Sequence, residues 1–237
     1  MKLGECYLDV ILVPLGILMS IAYHCWLCHK VRTKPHSTVI GTNATARCSW
    51  VSAMMKDNDK KNILVVQTLR NAIMGSTLMA TTSIVLGTGL AAILSSTYTV
   101  KKPLNDSVFG AQGEFTVSLK YVTMLCFFLF SFFCHSLSIR FINQASFHIN
   151  LPPNPISIAN PAYVTELLEK GFLLNTVGNR VFYTALPLLL WIFGPLMVFL
   201  CFAIMLPALY NLDFSLACGT TKINDANGSD GFASAAV

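Results

Sequence analysis

Residues 181–209 read VFYTALPLLLWIFGPLMVFLCFAIMLPAL, a run without Asp, Glu, Lys, Arg or His. Crossing a hydrocarbon core about 30 Å thick takes roughly 20 apolar helical residues. The run exceeds that length, so it predicts a helix in lipid that the rest of the chain must partner. Pro187, Pro195 and Pro207 each lack an N–H and clash with the carbonyl four residues back, so each is expected to bend it. Neighbouring helices, hydroxyls or waters then re-satisfy the freed carbonyls. Trp191 falls about ten residues inside the run, deeper than the interfacial belt. The reading is a kinked packing surface made by Trp191, Phe193 and Gly194-Pro195. The alternative is a broken helix lining a polar intramembrane site that includes Trp191 and Pro195.

Composition agrees with lipid. The 237 residues are 54% hydrophobic and 11% charged, whereas soluble domains average about 25% charged. The net charge of +5 does not point to nucleic acid, because the basic residues cluster beside apolar runs instead of interleaving with aromatics. Eight cysteines do not make a disulfide scaffold here. Cys126, Cys134 and Cys201 fall inside apolar runs as small hydrophobes. The first apolar run is too long for a signal core and is followed by Lys30, Arg32 and Lys34, so it reads as a retained helix.

The expected fold is an all-α membrane protein over residues 1–212, with four transmembrane helices at about 7–27, 71–94, 120–142 and 181–209. Tyr7, Tyr23 and Trp26 flank the first as interfacial aromatics. Ser76, Ala80, Ser83 and Gly87 share one face of the second, which predicts close helix packing, while Thr81 and Thr82 offer the alternative of a polar path. Each long loop is expected to carry a short interfacial helix. One is at Trp50, Val51, Met54 and Met55, where packing on other protein competes closely with the membrane surface. The other begins at Pro161 and ends at Gly171 or Gly178. Residues 213–237 read as a disordered tail.

Under four spans, the loops 28–62 and 143–179 with their flanks hold eleven Lys and Arg and the other side five. The positive-inside rule then puts both loops in the cytosol and both termini in the lumen or outside the cell.

His24-Cys25-Trp26-Leu27-Cys28-His29 contains the Cys-x-x-Cys-His spacing of c-type haem attachment. That chemistry belongs to the non-cytosolic face, and the charge count puts the stretch on the cytosolic one. His24, Cys25, Cys28 and His29 are also weak zinc candidates, since one continuous helix cannot wrap four ligands round an ion. S-palmitoylation of Cys25 or Cys28 beside basic residues is chemically more natural, and plain thiols are the simplest reading. His135 is a candidate intramembrane polar site, against the reading of a neutral imidazole bonded to a neighbour. Arg70, Arg140 and Arg180 share a side and an approximate depth, so they are candidates for binding a headgroup or phosphate. Beyond Asp9 at the very start of the first, no acidic residue falls inside the four predicted spans, which disfavours a coupled pump. No catalytic motif is present, so no enzyme activity and no cofactor is expected.

Certain stretches carry a resemblance. They are Leu8-Asp9 with Val13-Pro14-Leu15-Gly16, Tyr23-His24 with Trp26-Leu27, Thr38-Val39-Ile40-Gly41, Trp50-Val51, Gln67-Thr68-Leu69-Arg70-Asn71, and Ser138-Ile139-Arg140. The most specific block runs from Gly178-Asn179-Arg180 through Trp191-Ile192-Phe193-Gly194-Pro195, with Asp213 beyond. In these the chain resembles the plant branch of the membrane family called domain of unknown function 599. The resemblance implies a multi-pass plant membrane protein and no established reaction. It also implies that the positions of His24 and Trp26, not those of Cys25 and Cys28, belong to the pattern. The expected function is a helix-packing scaffold or accessory protein; the alternative is a small oligomeric transporter or channel lined by the second to fourth spans. Expected partners are the lipid bilayer and other membrane helices or further copies of the chain. Nucleic acid is not expected, and no small-molecule substrate is identifiable.

Overall fold

The computed structural model describes residues 2–56, 58–99, 114–150 and 160–214, and the elements among them are all helical. They are α1 (Lys2–Thr33), α2 (Val39–Lys56), α3 (Asn58–Thr99), α4 (Glu114–Ile149), α5 (Pro161–Leu189) and α6 (Pro195–Phe214), with short 3-10 turns at Pro35–Ser37 and Leu190–Ile192. Four stretches are long and apolar enough to cross a membrane: Ile11–Thr33, Ile63–Ser96, Val117–Ile149 and Pro195–Phe214. Segments 100–113, 151–159 and 215–237, with most of the expected disordered tail, lie outside the described residues.

The decisive run is not one rod. Its first part, Val181–Leu189, finishes α5; the chain then turns at Leu190–Ile192 and restarts as α6 at Pro195. Gly194 makes the turn with φ 148, a conformation that only glycine adopts freely. Pro195 follows at the first helical position, where its missing N–H costs nothing. Trp191 therefore lies at an end of the bundle, not deep within a span.

The helix that begins at Pro161 likewise runs on, with no stop at Gly171 or Gly178. Asn160 caps it, its side-chain oxygen accepting from the Ala162 N–H at 3.1 Å. The two glycines are contact points. A Cβ on Gly171 would lie 2.8 Å from Ile142 Cγ1, and one on Gly178 would lie 2.8 Å from His135 Nε2. Close approach of α4 demanded glycine, and neighbouring turns kept the helix intact.

These contacts set the topology. Along α4 from Phe128 to His135 to Ile142, the partners on α5 run backwards from Phe182 to Gly178 to Gly171, so the two helices are antiparallel along their length. The next helix, α6, returns along α1 in the same direction. Trp191 meets Asp9, Phe202 meets Gly16, and Asp213 meets Tyr23. Five helices thus run end to end. Asp9 of α1 and Asp213 of α6 lie at opposite ends of the bundle.

Two apolar cores sit along this bundle. One joins α1, α3, α4, α5 and α6 around Val13, Leu90, Phe128, Phe182, Val198 and Phe202. The Ser76, Ala80, Ser83 and Gly87 face of α3 is buried, with Gly87 near Leu125 and Phe128, whereas Thr81 and Thr82 bond back to their own helix. The second core joins α2 to α3, α4 and α5 around Val51, Leu69, Ile142, Val164 and Leu168. Its origin is length: the 42 residues of α3 extend about 63 Å and the 36 of α4 about 54 Å, well beyond a bilayer core.

The expected helix around Trp50 is the 18-residue α2. It turns Val51 and Met54 onto the bundle. Thr38 Oγ1 accepts from the Gly41 N–H at 3.2 Å, and a Cβ on Gly41 would lie 2.2 Å from the Pro35 carbonyl oxygen. The Arg47 guanidinium clamps α2 to α5, donating from Nε and Nη2 to the two Glu169 oxygens at 2.9 Å each.

Candidate functional site

Three polar clusters interrupt the apolar packing. The first closes one end, where α1, α4 and the α5–α6 turn meet. Lys120 Nζ donates to Asp9 Oδ2 at 2.9 Å, and Trp191 Nε1 donates to Asp9 Oδ1 at 3.2 Å. The ammonium also sits 5.2 Å from the Trp191 ring centroid, a cation–π contact. The Lys120 and Asp9 side chains are 9% and 3% exposed, so each charge depends on the other for its stability away from water.

The second cluster joins α1, α5 and α6 toward the other end. Arg180 Nη2 and the Tyr23 hydroxyl, the latter at 2.5 Å, both donate to Asp213. The His24 Nδ1 hydrogen goes to the Ser20 carbonyl at 2.6 Å, which fixes the ring's orientation. The Ser20 hydroxyl lies 3.3 Å from that of Thr184, which donates to the Arg180 carbonyl at 2.9 Å. Trp26 covers the cluster, its ring centroid 6.1 Å from Tyr210 and 5.2 Å from Phe214.

The third lies between α3, α4 and α5. The Ser131 hydroxyl donates to the Gly178 carbonyl at 3.0 Å and lies 3.2 Å from the Ser83 hydroxyl. Ser76 donates to Asn175 Oδ1 at 3.1 Å. His135 is completely buried against Gly178. Both its ring nitrogens and the Ser138 hydroxyl lack a hydrogen-bond partner among the described residues.

Of the candidates from the sequence, His24, His135, Arg180 and Trp191 take part in these clusters. Pro195 is buried at the start of α6. Cys25, Cys28 and His29 are exposed while His24 faces inward, so the four donors do not converge. Among the described residues no three His, Cys, Asp or Glu side chains gather to hold a metal ion. Arg70 and Arg140 are exposed on α3 and α4, and the described contacts tie Arg180 to Asp213 instead.

Asp9 and Asp213 stand in the stretches that carry the family resemblance, but sequence reasoning gave neither carboxylate a partner. Asp213 was read into the tail and Asp9 as a mere flank. Asp213 lies within the apolar stretch Pro195–Phe214, so an acidic residue does occupy a span. The available signal was opposite charge beside separate apolar runs, Asp9 against Lys120 and Arg180 against Asp213.

No curated protein and no solved structure matches the chain. The range 11–217 does match a family profile, and it takes in His135, Arg180 and Asp213 along with the four apolar helices of a membrane protein. On that match the chain belongs to the family described as Protein of unknown function, DUF599.

Proposed function

We propose that this chain is a multi-pass membrane scaffold or accessory protein without catalytic activity, acting through helix packing and through the face formed by α2 and the start of α5. One observation carries this reading. Between the two ion-pair clusters, Met124, Phe128, Ala185, Leu188, Val198 and Phe202 are each 0% exposed. A core packed to that degree supports a dry bundle rather than a solute path.

Its orientation follows from charge. With α5 counted as a crossing helix, the C-terminal tail joins the side that holds α2. Twelve of the sixteen Lys and Arg then lie on that side, leaving Lys2, Lys101, Lys102 and Lys120 on the other. The positive-inside rule makes the α2 side cytosolic.

The second reading is a small transporter or channel. It is favoured by Arg180–Asp213 and by His135, because intramembrane ionisable groups often mark ion pathways. Reconstitution into sealed vesicles separates the two. Proton and small-ion flux at the level of empty vesicles, with defined membrane proteins co-purifying, supports the scaffold. Flux that rises with protein content and falls in Asp213→Asn overturns it in favour of transport.

A further inference from the structure

One stripe of α1 faces outward from Ile11 onward. Ile11, Leu18 and Ile21 are 57%, 61% and 53% exposed. At helical spacing, Cys25 and Cys28 continue the stripe, and both are exposed. Between them Leu27 is buried, so the bundle side of the helix is occupied while the thiol side is open. Lys30, Arg32 and Lys34 follow directly. At 1.5 Å per residue the thiols lie about 21 and 26 Å along the helix from Ile11, near the far edge of a core about 30 Å thick. They therefore stand where lipid tails give way to headgroups, directly ahead of the basic residues Lys30, Arg32 and Lys34.

The other thiols among the described residues lack this combination. Cys134 is buried and Cys201 half-buried. Cys126 is exposed, but it lies nine residues into Val117–Ile149, about 14 Å along it, out of reach of a water-borne donor. Cys48 is exposed on α2, away from the apolar helices.

We propose that Cys25 and Cys28 are S-acylation sites that take long-chain fatty acyl groups from acyl-coenzyme A. The thiolate attacks the acyl carbonyl, a new carbon–sulfur bond forms, and the bond to coenzyme A breaks. The coenzyme A thiolate leaves and takes up the proton the cysteine gave, with no net oxidation. The acyl chain then lies back along Ile21 and Leu18, adding its own apolar length to a face that already meets lipid. This assignment rests on the α2 side being cytosolic, where acyl-coenzyme A is found.

The test expresses the full chain in a eukaryotic cell with a glycosylation acceptor fused ahead of Met1. Free thiols are blocked, thioesters are cleaved with hydroxylamine, and the released thiols are mass-tagged. The expected result is a sugar at the N-terminus and two hydroxylamine-dependent tags. Cys25→Ser and Cys28→Ser each leave one tag, the double variant leaves none, and Cys126→Ser keeps both. A sugar with no tag, or tags that persist in the double variant, overturns the acylation alone. A bare N-terminal acceptor overturns the orientation, and the assignment with it.

Discussion

Helices α4 and α5 lie side by side along their length, yet only α4 contains a stretch apolar enough to read as a membrane span. The difference is where each keeps its polar groups. On α4 residues 121–134 carry no charge and no amide, and only Tyr121, Thr123 and Ser131 interrupt their Phe, Leu, Met, Val and Cys. On α5 Asn175, Asn179 and Arg180 dilute the apolar character, while Asn175 is bonded to Ser76 and Arg180 to Asp213. A helix can run among lipid-facing neighbours with such residues when the bundle supplies their partners. Hydropathy scores a segment against lipid alone, so it misses a helix whose environment is largely protein.

The comparison breaks most sharply at Asp213. Replacing it with Ala strands the Arg180 charge, whose side chain is 17% exposed, and the expected loss is about 3–5 kcal/mol. Unfolding in mild detergent should show it, and Arg180→Leu combined with Asp213→Leu should recover most of it. Wild-type stability in Asp213→Ala would mean α5 does not depend on this partner.

Next is Gly178→Ala. The added Cβ meets the His135 ring, and overpacking of this kind costs about 1–3 kcal/mol. A smaller residue at position 135, such as His135→Ala, should relieve the clash, so the double variant should lose less than the sum of the single ones.

Arg47→Ala removes the clamp between α2 and α5, whose side chains are 22% and 35% exposed. Solvent screens such a pair, so about 1 kcal/mol or less is expected, read as faster proteolysis of α2 with the bundle unaffected. The smallest effect belongs to Phe133→Leu on α4, a side chain 56% exposed. Within about 0.5 kcal/mol of wild type is expected by the same unfolding measurement.

Much of this was legible in the residues. The apolar stretches of α1, α3 and α4 announced themselves by length, and the small-residue face of α3 announced the packing against α4. The block from Gly178 to Pro195 stood out as specific, and its content now has physical reasons: Gly178 admits His135, Arg180 meets Asp213, and Gly194 with Pro195 makes the turn. What was illegible depended on distance along the chain. Asp9 finds Lys120 across 111 residues and Tyr23 finds Asp213 across 190, and no local pattern encodes such pairs. The uncharged run 181–209 was misread as one rod because hydropathy averages over a five-residue turn. That single error put Trp191 deep inside a span instead of at an end of the bundle.

The side of the C-terminus tests the five-helix course most directly. Separate protease-sensitive tags are placed at the two termini, and sealed microsomes with the cytosolic face outward are digested. The account predicts that the C-terminal tag is removed and the N-terminal tag protected, placing α6's end with α2. Protection of both tags would mean an even number of crossings and would contradict the pairing of α5 with α4 across the membrane.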